Sequence, residues 1–188
     1  MTRRITRRGQ EARARILAAT RAALIEEGPT ALTLRGVAAR AALSLGNLQF
    51  HFADIEALLT ALLEAEINAG MVAIADARAR ARDPLDAALD ILLQQHRDVD
   101  LAKLYFSLWA FAVGRPAIAA VLRGFYAAFV ARVAAYVRDA DQGDAADLEQ
   151  RAWLFVALLE GSSVLRAIAE EANHDEALRN ALRRILVG

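Results

Sequence analysis

The sequence predicts an all-α protein of about nine helices, in which a three-helix head with a helix-turn-helix precedes a larger helical body. Three observations support this prediction. Alanine is abundant and runs of β-branched residues are missing, a composition that favours helices over strands. Apolar residues recur at intervals of three and four, and proline, glycine and capping residues separate these segments. With 188 residues, of which 56% are hydrophobic, the chain can bury a substantial core.

The head begins with an amphipathic helix over about residues 10–27. Its apolar residues at helical spacing are Ile16, Ala19, Ala23 and Leu24. Gly28 ends this helix because glycine adopts the conformation of a helix C-terminus at little cost. Pro29 prevents the helix from continuing, so a turn follows.

Two short helices joined by a tight turn are predicted next, over about 33–41 and 44–52. Each opens on a Ser or Thr that can cap it. The second helix carries Gln49, Phe50 and His51 where a solvent-exposed helix would normally carry Lys or Glu. This pattern favours a helix-turn-helix that places its second helix in the major groove of DNA.

Six further helices are predicted in the body, with proline or capping residues at their boundaries. They cover about 54–82, 84–98, 101–113, 116–139, 145–172 and 174–186. Asp54 caps the first of them, and Asp83 with Pro84 opens the second. Asn173 with Glu176 resembles a capping box before the last helix. The long helix over 54–82 joins the head to the body.

The zero net charge of the chain hides an asymmetric distribution. Residues 1–52 carry nine Arg and three Glu, a net charge of +6, whereas residues 53–188 carry a net charge of −6. A basic head on an acidic body is typical of a protein that presents one end to phosphate, although chance segregation is the alternative. We divide the chain into a DNA-binding domain of residues 1–53 and a body of residues 54–188.

The chain starts with a basic tail, MTRRITRR. Its arginines are Arg3, Arg4, Arg7 and Arg8. We expect this arm to contact phosphates or to enter a minor groove beside the main site. A solvated terminus without function is the alternative.

Several classes of protein are not expected. No apolar run reaches the roughly 18 residues that a membrane span needs, and no signal peptide opens the chain. Without cysteine there is no disulfide or thiolate chemistry, and a cytoplasmic location is expected. The three histidines lie on separate predicted helices, and no HExxH, GxSxG or P-loop motif occurs. We therefore predict no enzymatic activity, no cofactor and no metal site.

Several segments between residues 16 and 58 form one pattern. They are ILAAT at 16–20, Gly28, LT at 32–33, VAARAALS at 37–44, GNL at 46–48, HF at 51–52, and Glu56 with Leu58. This pattern, over about a quarter of the chain, resembles the TetR/AcrR family of bacterial transcriptional regulators. The resemblance implies a homodimer that binds a palindromic operator, in most cases as a repressor that a small-molecule ligand releases.

Two residues depart from the family pattern. The family usually has Tyr where this chain has Gln49 and Lys where it has Ile55, and both family residues typically contact the DNA backbone. Gln49 can still donate a hydrogen bond to a phosphate oxygen, but Ile55 cannot. The arginine-rich arm is the expected source of the missing phosphate affinity.

Base reading is assigned to the outward face of the second short helix, because Leu48 and Phe52 form its inner face. Asn47 can pair with adenine through two hydrogen bonds, or contact phosphate. Leu45 and Phe50 can pack on thymine methyl groups. The remaining outward residues of this face are Gly46, which allows close approach of the backbone, and Gln49.

Four further side chains are predicted at the edge of the DNA site. The resemblance places Arg35 where it reaches a guanine or a phosphate. Thr33 and Ser44 can donate hydroxyls to phosphate, although both are equally well explained as helix caps. His51 can contact phosphate, but a partly buried packing role is the stronger alternative.

The resemblance also implies a small-molecule pocket among the middle helices. Aromatic residues are concentrated over 101–136, which suits either a cavity wall or an ordinary core. The candidate pocket residues are Gln95, His96, Tyr105, Phe106, Trp109, Phe125, Tyr126, Phe129 and Glu160. A DNA-binding or architectural protein that has no ligand is the alternative.

In the same family the last two helices pair with their copies in a dimer. We expect the helices over about 145–172 and 174–186 to form this interface, or else to pack within one chain. The predicted interface stripes are Leu148, Ala152, Phe155, Leu159 and Ser162 with Ser163 on the first, and Leu178, Leu182, Ile185 and Leu186 on the second.

Overall fold

The computed structural model describes residues 7–140, 145–168 and 174–187, and these residues form nine helices and no strand. The helices are α1 (Arg7–Glu26), α2 (Leu34–Arg40), α3 (Leu45–His51), α4 (Ile55–Arg80), α5 (Pro84–Arg97), α6 (Val99–Gly114), α7 (Pro116–Ala140), α8 (Ala145–Ile168) and α9 (Asp175–Val187). The predicted all-α class is confirmed.

Side-chain caps fix the starts of the head helices as the sequence predicts. The Thr33 hydroxyl oxygen accepts a hydrogen bond of 3.0 Å from the backbone N–H of Gly36 at the start of α2. Ser44 accepts one of 3.2 Å from the N–H of Asn47 at the start of α3. Gly28, just after α1, has a φ of +77°, a left-handed conformation that glycine adopts without a steric penalty. Local sequence chemistry therefore sets these boundaries.

The start of α6 differs from the prediction. The helix begins at Val99 rather than near residue 101, because the Asp98 carboxylate accepts hydrogen bonds from the N–H groups of Asp100 and Leu101, at 2.9 and 3.1 Å. An aspartate cap immediately after the end of α5 leaves almost no loop between the two helices. The predicted break at 141–144 and the cap at Asn173 lie outside the described residues.

The described residues form two compact units. Unit 1 contains the residues up to Ile67 together with Lys103–Val121, and unit 2 contains Asn68–Ala102 and the residues from Leu122 onward. Unit 1 thus adds the start of α4 and parts of α6 and α7 to the three head helices. The core beneath α2 and α3 consists of Ile16, Ala19, Val37, Ala38, Ala41, Leu48, Phe52, Leu58 and Ala61.

Unit 2 has its own core, built from α5, α7, α8 and α9. Its fully buried side chains include Phe155, Leu159 and Leu182. Around this core, Asp175 at the start of α9 forms an ion pair with Arg97 on α5 at 2.8 Å and accepts a hydrogen bond from Arg166 on α8 at 2.5 Å. These ion pairs tie α9 to the two helices that it packs against.

The predicted interface stripes are wrong as surfaces for a partner chain, because they lie inside unit 2. The residues buried in its core are Leu148, Ala152, Phe155, Leu159, Leu178, Leu182 and Leu186. Ser163 is also buried, and Ile185 packs against this core. These faces of α8 and α9 pack against each other and α5, so the alternative of packing within one chain holds for them.

Two helical segments, Ile55–Arg80 and Pro116–Tyr136, are long and apolar enough to cross a membrane, against the prediction from the sequence. Both segments contribute fully or largely buried side chains to the cores, such as Leu62 and Phe129. Helices in protein cores can be equally long and apolar, so these two segments do not by themselves indicate a membrane protein.

Ala42, in the turn between α2 and α3, has a φ of 54°, in the left-handed region that favours glycine. Backbone hydrogen bonds hold this turn, from Ala42 to Ala39 at 3.0 Å and from Leu43 to Ala38 at 2.9 Å. We expect Ala42→Gly to raise the free energy of unfolding by about 0.5–1 kcal/mol, because it relieves the Cβ strain at this φ.

Urea unfolding of the variant and the parent measures this difference. Ala39→Gly, at an exposed position inside α2, is the matched control and should lower the free energy of unfolding by about 1 kcal/mol. A loss of stability in both variants would contradict strain at Ala42.

Candidate nucleic-acid interface

The seven-residue helix α3 has one buried side and one exposed side. Leu48 is fully buried and Phe52, its C-cap, is 4% exposed, so both anchor the helix in the core of unit 1. Asn47 and Gln49 are exposed, and the Phe50 side chain is 69% exposed. The outward face of α3 therefore carries two amide side chains, Asn47 and Gln49, and the aromatic ring of Phe50.

Two of the predicted contact residues are less accessible. Leu45 and His51 are half-buried, at the two ends of α3. The His51 ring lies edge-on to the Phe50 ring, with 5.3 Å between the ring centroids. His51 thus supports Phe50 from the side, in agreement with a packing role for the histidine.

A concavity of about 330 Å³ joins the start of α1 to α3. Its lining consists of Arg8, Gly9, Ala12, Asn47, Phe50 and His51. The fold therefore brings the end of the basic arm beside the outward face of α3. Arg7 is paired with Glu11 at 3.0 Å on the exposed surface, an ion pair of little energetic weight. Arg3 and Arg4 lie outside the described residues.

The start of α2 contributes a further cation. Arg35 is exposed in the first turn of α2, next to the cap Thr33, which is also exposed. The hydroxyl oxygens of Thr33 and Ser44 accept hydrogen bonds from backbone N–H groups, which leaves each O–H able to donate to a phosphate oxygen. Capping and phosphate contact are therefore compatible at both residues.

In the body, the predicted pocket residues fall into both units. Tyr105, Phe106 and Trp109 on α6 belong to unit 1, where the Phe106 and Trp109 rings lie 5.4 Å apart. The remaining ones belong to unit 2, and they are Gln95, His96, Phe125, Tyr126, Phe129 and Glu160. The sequence could not show this division, since spacing along a helix does not reveal which compact unit it joins.

Within unit 2, an aromatic cluster on α7 lies beside a half-buried carboxyl, that of Glu160. The Phe125 ring is 5.0 Å from the Tyr126 ring and stacks on the Phe129 ring at 5.8 Å. Burial raises the pKa of Glu160, on α8, to about 7, and a hydrogen bond with Tyr126 opposes that shift. The structure thus brings together Tyr126 and Glu160, two of the predicted pocket residues.

His96, on α5, is a second titratable group in unit 2. Burial lowers its pKa, the hydrogen bond with the Leu92 backbone opposes that shift, and the positive charge of Arg166 adds to it. Its Nδ1 lies 2.7 Å from the carbonyl oxygen of Leu92, which can only accept, so Nδ1 carries the proton. This hydrogen bond holds the His96 ring against its own helix.

The outward face of α8 is apolar. The largest exposed side chains are Trp153 at 61% and Leu165 at 70% exposure, with Leu154 and Leu158 between them. We call these four residues, together with Ala157 and Gly161, the α8 ridge. A groove of about 680 Å³ runs beside the ridge and is lined on the α7 side by Tyr126 and several alanines.

Comparison with known protein families decides the identity. Residues 16–62 match the profile of the bacterial regulatory proteins of the tetR family. Residues 75–188, more than half of the chain, match the profile of the carboxy-terminal region of BetI-type transcriptional repressors. The chain belongs to the TetR family. The predicted resemblance is confirmed, and TetR-family proteins are DNA-binding transcriptional regulators rather than enzymes.

Solved structures show the same fold for this TetR-family protein. A candidate transcriptional regulator from Pseudomonas aeruginosa PAO1 is 20% identical, with a TM-score of 0.81 over 94% of this chain and 88% of that one. One from Saccharomonospora viridis, in complex with choline, is 16% identical, with a TM-score of 0.77 over 93% and 95%. The multidrug binding protein EbrR, complexed with malachite green, is 23% identical, with a TM-score of 0.73 over 93% and 97%. A comparison with curated proteins gave no match.

One departure from the TetR-family pattern has a structural explanation. Ile55, where the family usually has Lys, is half-buried and packs against the core of unit 1 beneath α2 and α3. Its side chain therefore adds to the apolar packing of the head. Gln49, the other departure, is exposed on α3.

Arg40, at the end of α2, was not assigned a role by the sequence. It donates hydrogen bonds to Glu26, at 2.6 Å, and to Glu27, both at the end of α1. These carboxylates raise its pKa. The guanidinium thus ties α2 to α1 and neutralises the acidic end of α1, and its two partners lie 13 and 14 residues earlier, too far for a local sequence pattern to show.

Proposed function

We propose that this TetR-family regulator is a cytoplasmic repressor that binds a palindromic operator as a homodimer and is released by a small-molecule ligand. The observation that carries the proposal is the outward face of α3, where Asn47, Gln49 and Phe50 are exposed above a buried Leu48. A short helix with this surface suits the major groove, in which base edges offer hydrogen-bonding groups and thymine methyl groups.

Phosphate contacts in this proposal come from residues around α3. Arg8 lies on one side, in the concavity that it shares with Asn47 and Phe50, and Arg35 lies exposed at the start of α2. Thr33, Ser44, Gly46 and His51, together with Arg3, Arg4 and Arg7 of the arm, complete the proposed DNA-contacting set. Such contacts fix the position of the head on DNA, while base contacts supply sequence preference.

The α8 ridge supports a homodimer. A continuous apolar surface of this kind on a soluble protein marks a contact with another chain. Leu154, Leu158 and Leu165 recur on one side of the helix, and Gly161 lies between the last two. A Cβ at Gly161 would meet open space within the protomer, so the chain's own packing does not require glycine there. Two copies of α8 that cross at Gly161 can approach closely.

For the ligand, the Tyr126 and Glu160 pair with its aromatic neighbours Phe125 and Phe129 is the best-supported part of the proposed pocket. An aromatic wall with a few buried polar groups is typical of small-molecule sites. Two proteins of the same fold are complexed with small molecules, choline in one and malachite green in the other. Gln95 and His96, on α5 of the same unit, are the other proposed lining residues.

The ligand releases the protein from DNA if it binds better to a dimer whose heads do not fit successive major grooves. A ligand lowers the affinity for DNA only by its preference between the two states. The matched profile of the C-terminal region is that of repressors, which supports repression as the sign of control.

The proposal is tested by recovery of DNA from the source genome. Purified protein should retain a small set of fragments from sheared genomic DNA at physiological salt, and Asn47→Ala should lose this selectivity. Asn180→Ala, at an exposed position on α9, is the matched control and should retain the same fragments. Retention of unselected DNA by all three proteins would contradict sequence-specific binding.

A further inference from the structure

We infer that α3 reads an operator half-site with A·T pairs at its centre, and that Phe50 recognises the 5-methyl group of a thymine. This inference rests on the proposed DNA contact by α3. It adds the chemistry of the bases that the helix selects.

The first observation is the absence of cations on α3. The helix, Leu45–His51, contains no Lys or Arg, although these are the residues that most often read guanine through its O6 and N7 atoms. Arg8 and Arg35 lie on other helices, α1 and α2, and the proposed function assigns them to phosphates. The centre of the reading face therefore lacks the usual guanine reader.

The second observation is the position of Asn47 relative to Phe50. They are three residues apart on α3, line the same concavity and lie on the same side of the helix. The Asn47 backbone N–H is engaged by the Ser44 cap, but its exposed amide side chain can pair with N6 and N7 of adenine. Two residues three positions apart on a helix in the major groove face neighbouring base pairs. A thymine next to that adenine would therefore contact Phe50.

The third observation separates the two apolar candidates, Leu45 and Phe50. Leu45 is half-buried at the start of α3, whereas the Phe50 ring is 69% exposed and held edge-on by His51. The thymine methyl is the apolar group that the major groove offers, and a ring held by its neighbour can cover it with little loss of entropy. Phe50 rather than Leu45 is thus the methyl reader.

Replacement of thymine by deoxyuridine tests this inference, because it removes the methyl group and leaves the base-pairing edge and O4 unchanged. Duplexes selected from a random pool by the purified full-length protein supply the probe. Each thymine is then replaced in turn, and the dissociation constant is measured. Burial of one methyl predicts about a fourfold loss of affinity at one position in each half-site.

The variants make the assignment specific. The loss at that position should vanish in Phe50→Ala and persist in Leu45→Ala, whatever the affinity of each variant for the parent duplex. Equal losses in Phe50→Ala and the parent, no loss at any thymine, or selected half-sites with a G·C centre would each overturn the inference. Failure to select any duplex would overturn the proposed function together with the inference.

Discussion

Substitution of Glu for Leu158 and Leu165 together should convert the proposed homodimer into monomers and weaken operator binding by about 100-fold or more. Both side chains belong to the α8 ridge and are at least one third exposed in the protomer, so the change places charge in the proposed interface and spares the core. A single head makes too few contacts for high specificity, so loss of the second head removes most of the affinity.

Sedimentation and fluorescence anisotropy with operator DNA measure the two effects. Val72→Glu is the matched control, since Val72 is a 61% exposed valine on α4, outside the ridge. It should leave both the mass and the affinity unchanged. A double variant that remains dimeric, or a monomer that binds the operator as tightly as the parent, would contradict the proposed interface.

Replacement of Glu160 by Gln should stabilise the protein at pH 8 by about 2–3 kcal/mol and leave it unchanged below about pH 4. The pKa of Glu160 is raised from 4.5 to about 7 in the folded protein, chiefly by burial. Between these values the folded protein keeps a proton that the unfolded chain releases, so stability falls as the pH rises through this window. Above about pH 7 the full cost of a buried carboxylate is present, and glutamine removes it.

Urea unfolding at several pH values checks this result. The parent should lose stability from about pH 4.5 to pH 7 relative to Glu160→Gln, whose curve lacks this contribution. Glu176→Gln, at an exposed position on α9, is the matched control and should follow the parent. Parallel curves for the parent and Glu160→Gln would show that Glu160 is not buried in a protonated form.

The helices and the outward face of α3 could be predicted because local chemistry determines them. Thr33 and Ser44 cap their helices through contacts with residues three positions later. Pro29 follows the end of α1, and Pro84 and Pro116 are the first residues of α5 and α7. Leu48 and Phe52 are apolar at helical spacing, so the opposite side of α3 had to face outward.

The face of α8 that we propose for the dimer contact could not be predicted. This helix is apolar on two sides, with Leu148 and Phe155 on one and Leu154 and Leu158 on the other. The spacing of apolar residues predicts two apolar stripes on α8. It does not predict which of them packs against α5 and α9 of the same chain. The structure shows that Leu148 and Phe155 are buried within the protomer and that the α8 ridge is exposed, so the proposed dimer contact is assigned to the ridge. The same limit applies to Ile55, whose packing depends on tertiary contacts.

Hydroxyl-radical footprinting on a genomic fragment that the protein retains tests the central claim most directly, namely that a two-fold dimer places two copies of α3 in successive major grooves. The expected footprint has two protected windows related by two-fold symmetry, with centres about 10 base pairs or a multiple of that distance apart. A single unsymmetrical window, or equal protection along the whole fragment, would contradict it.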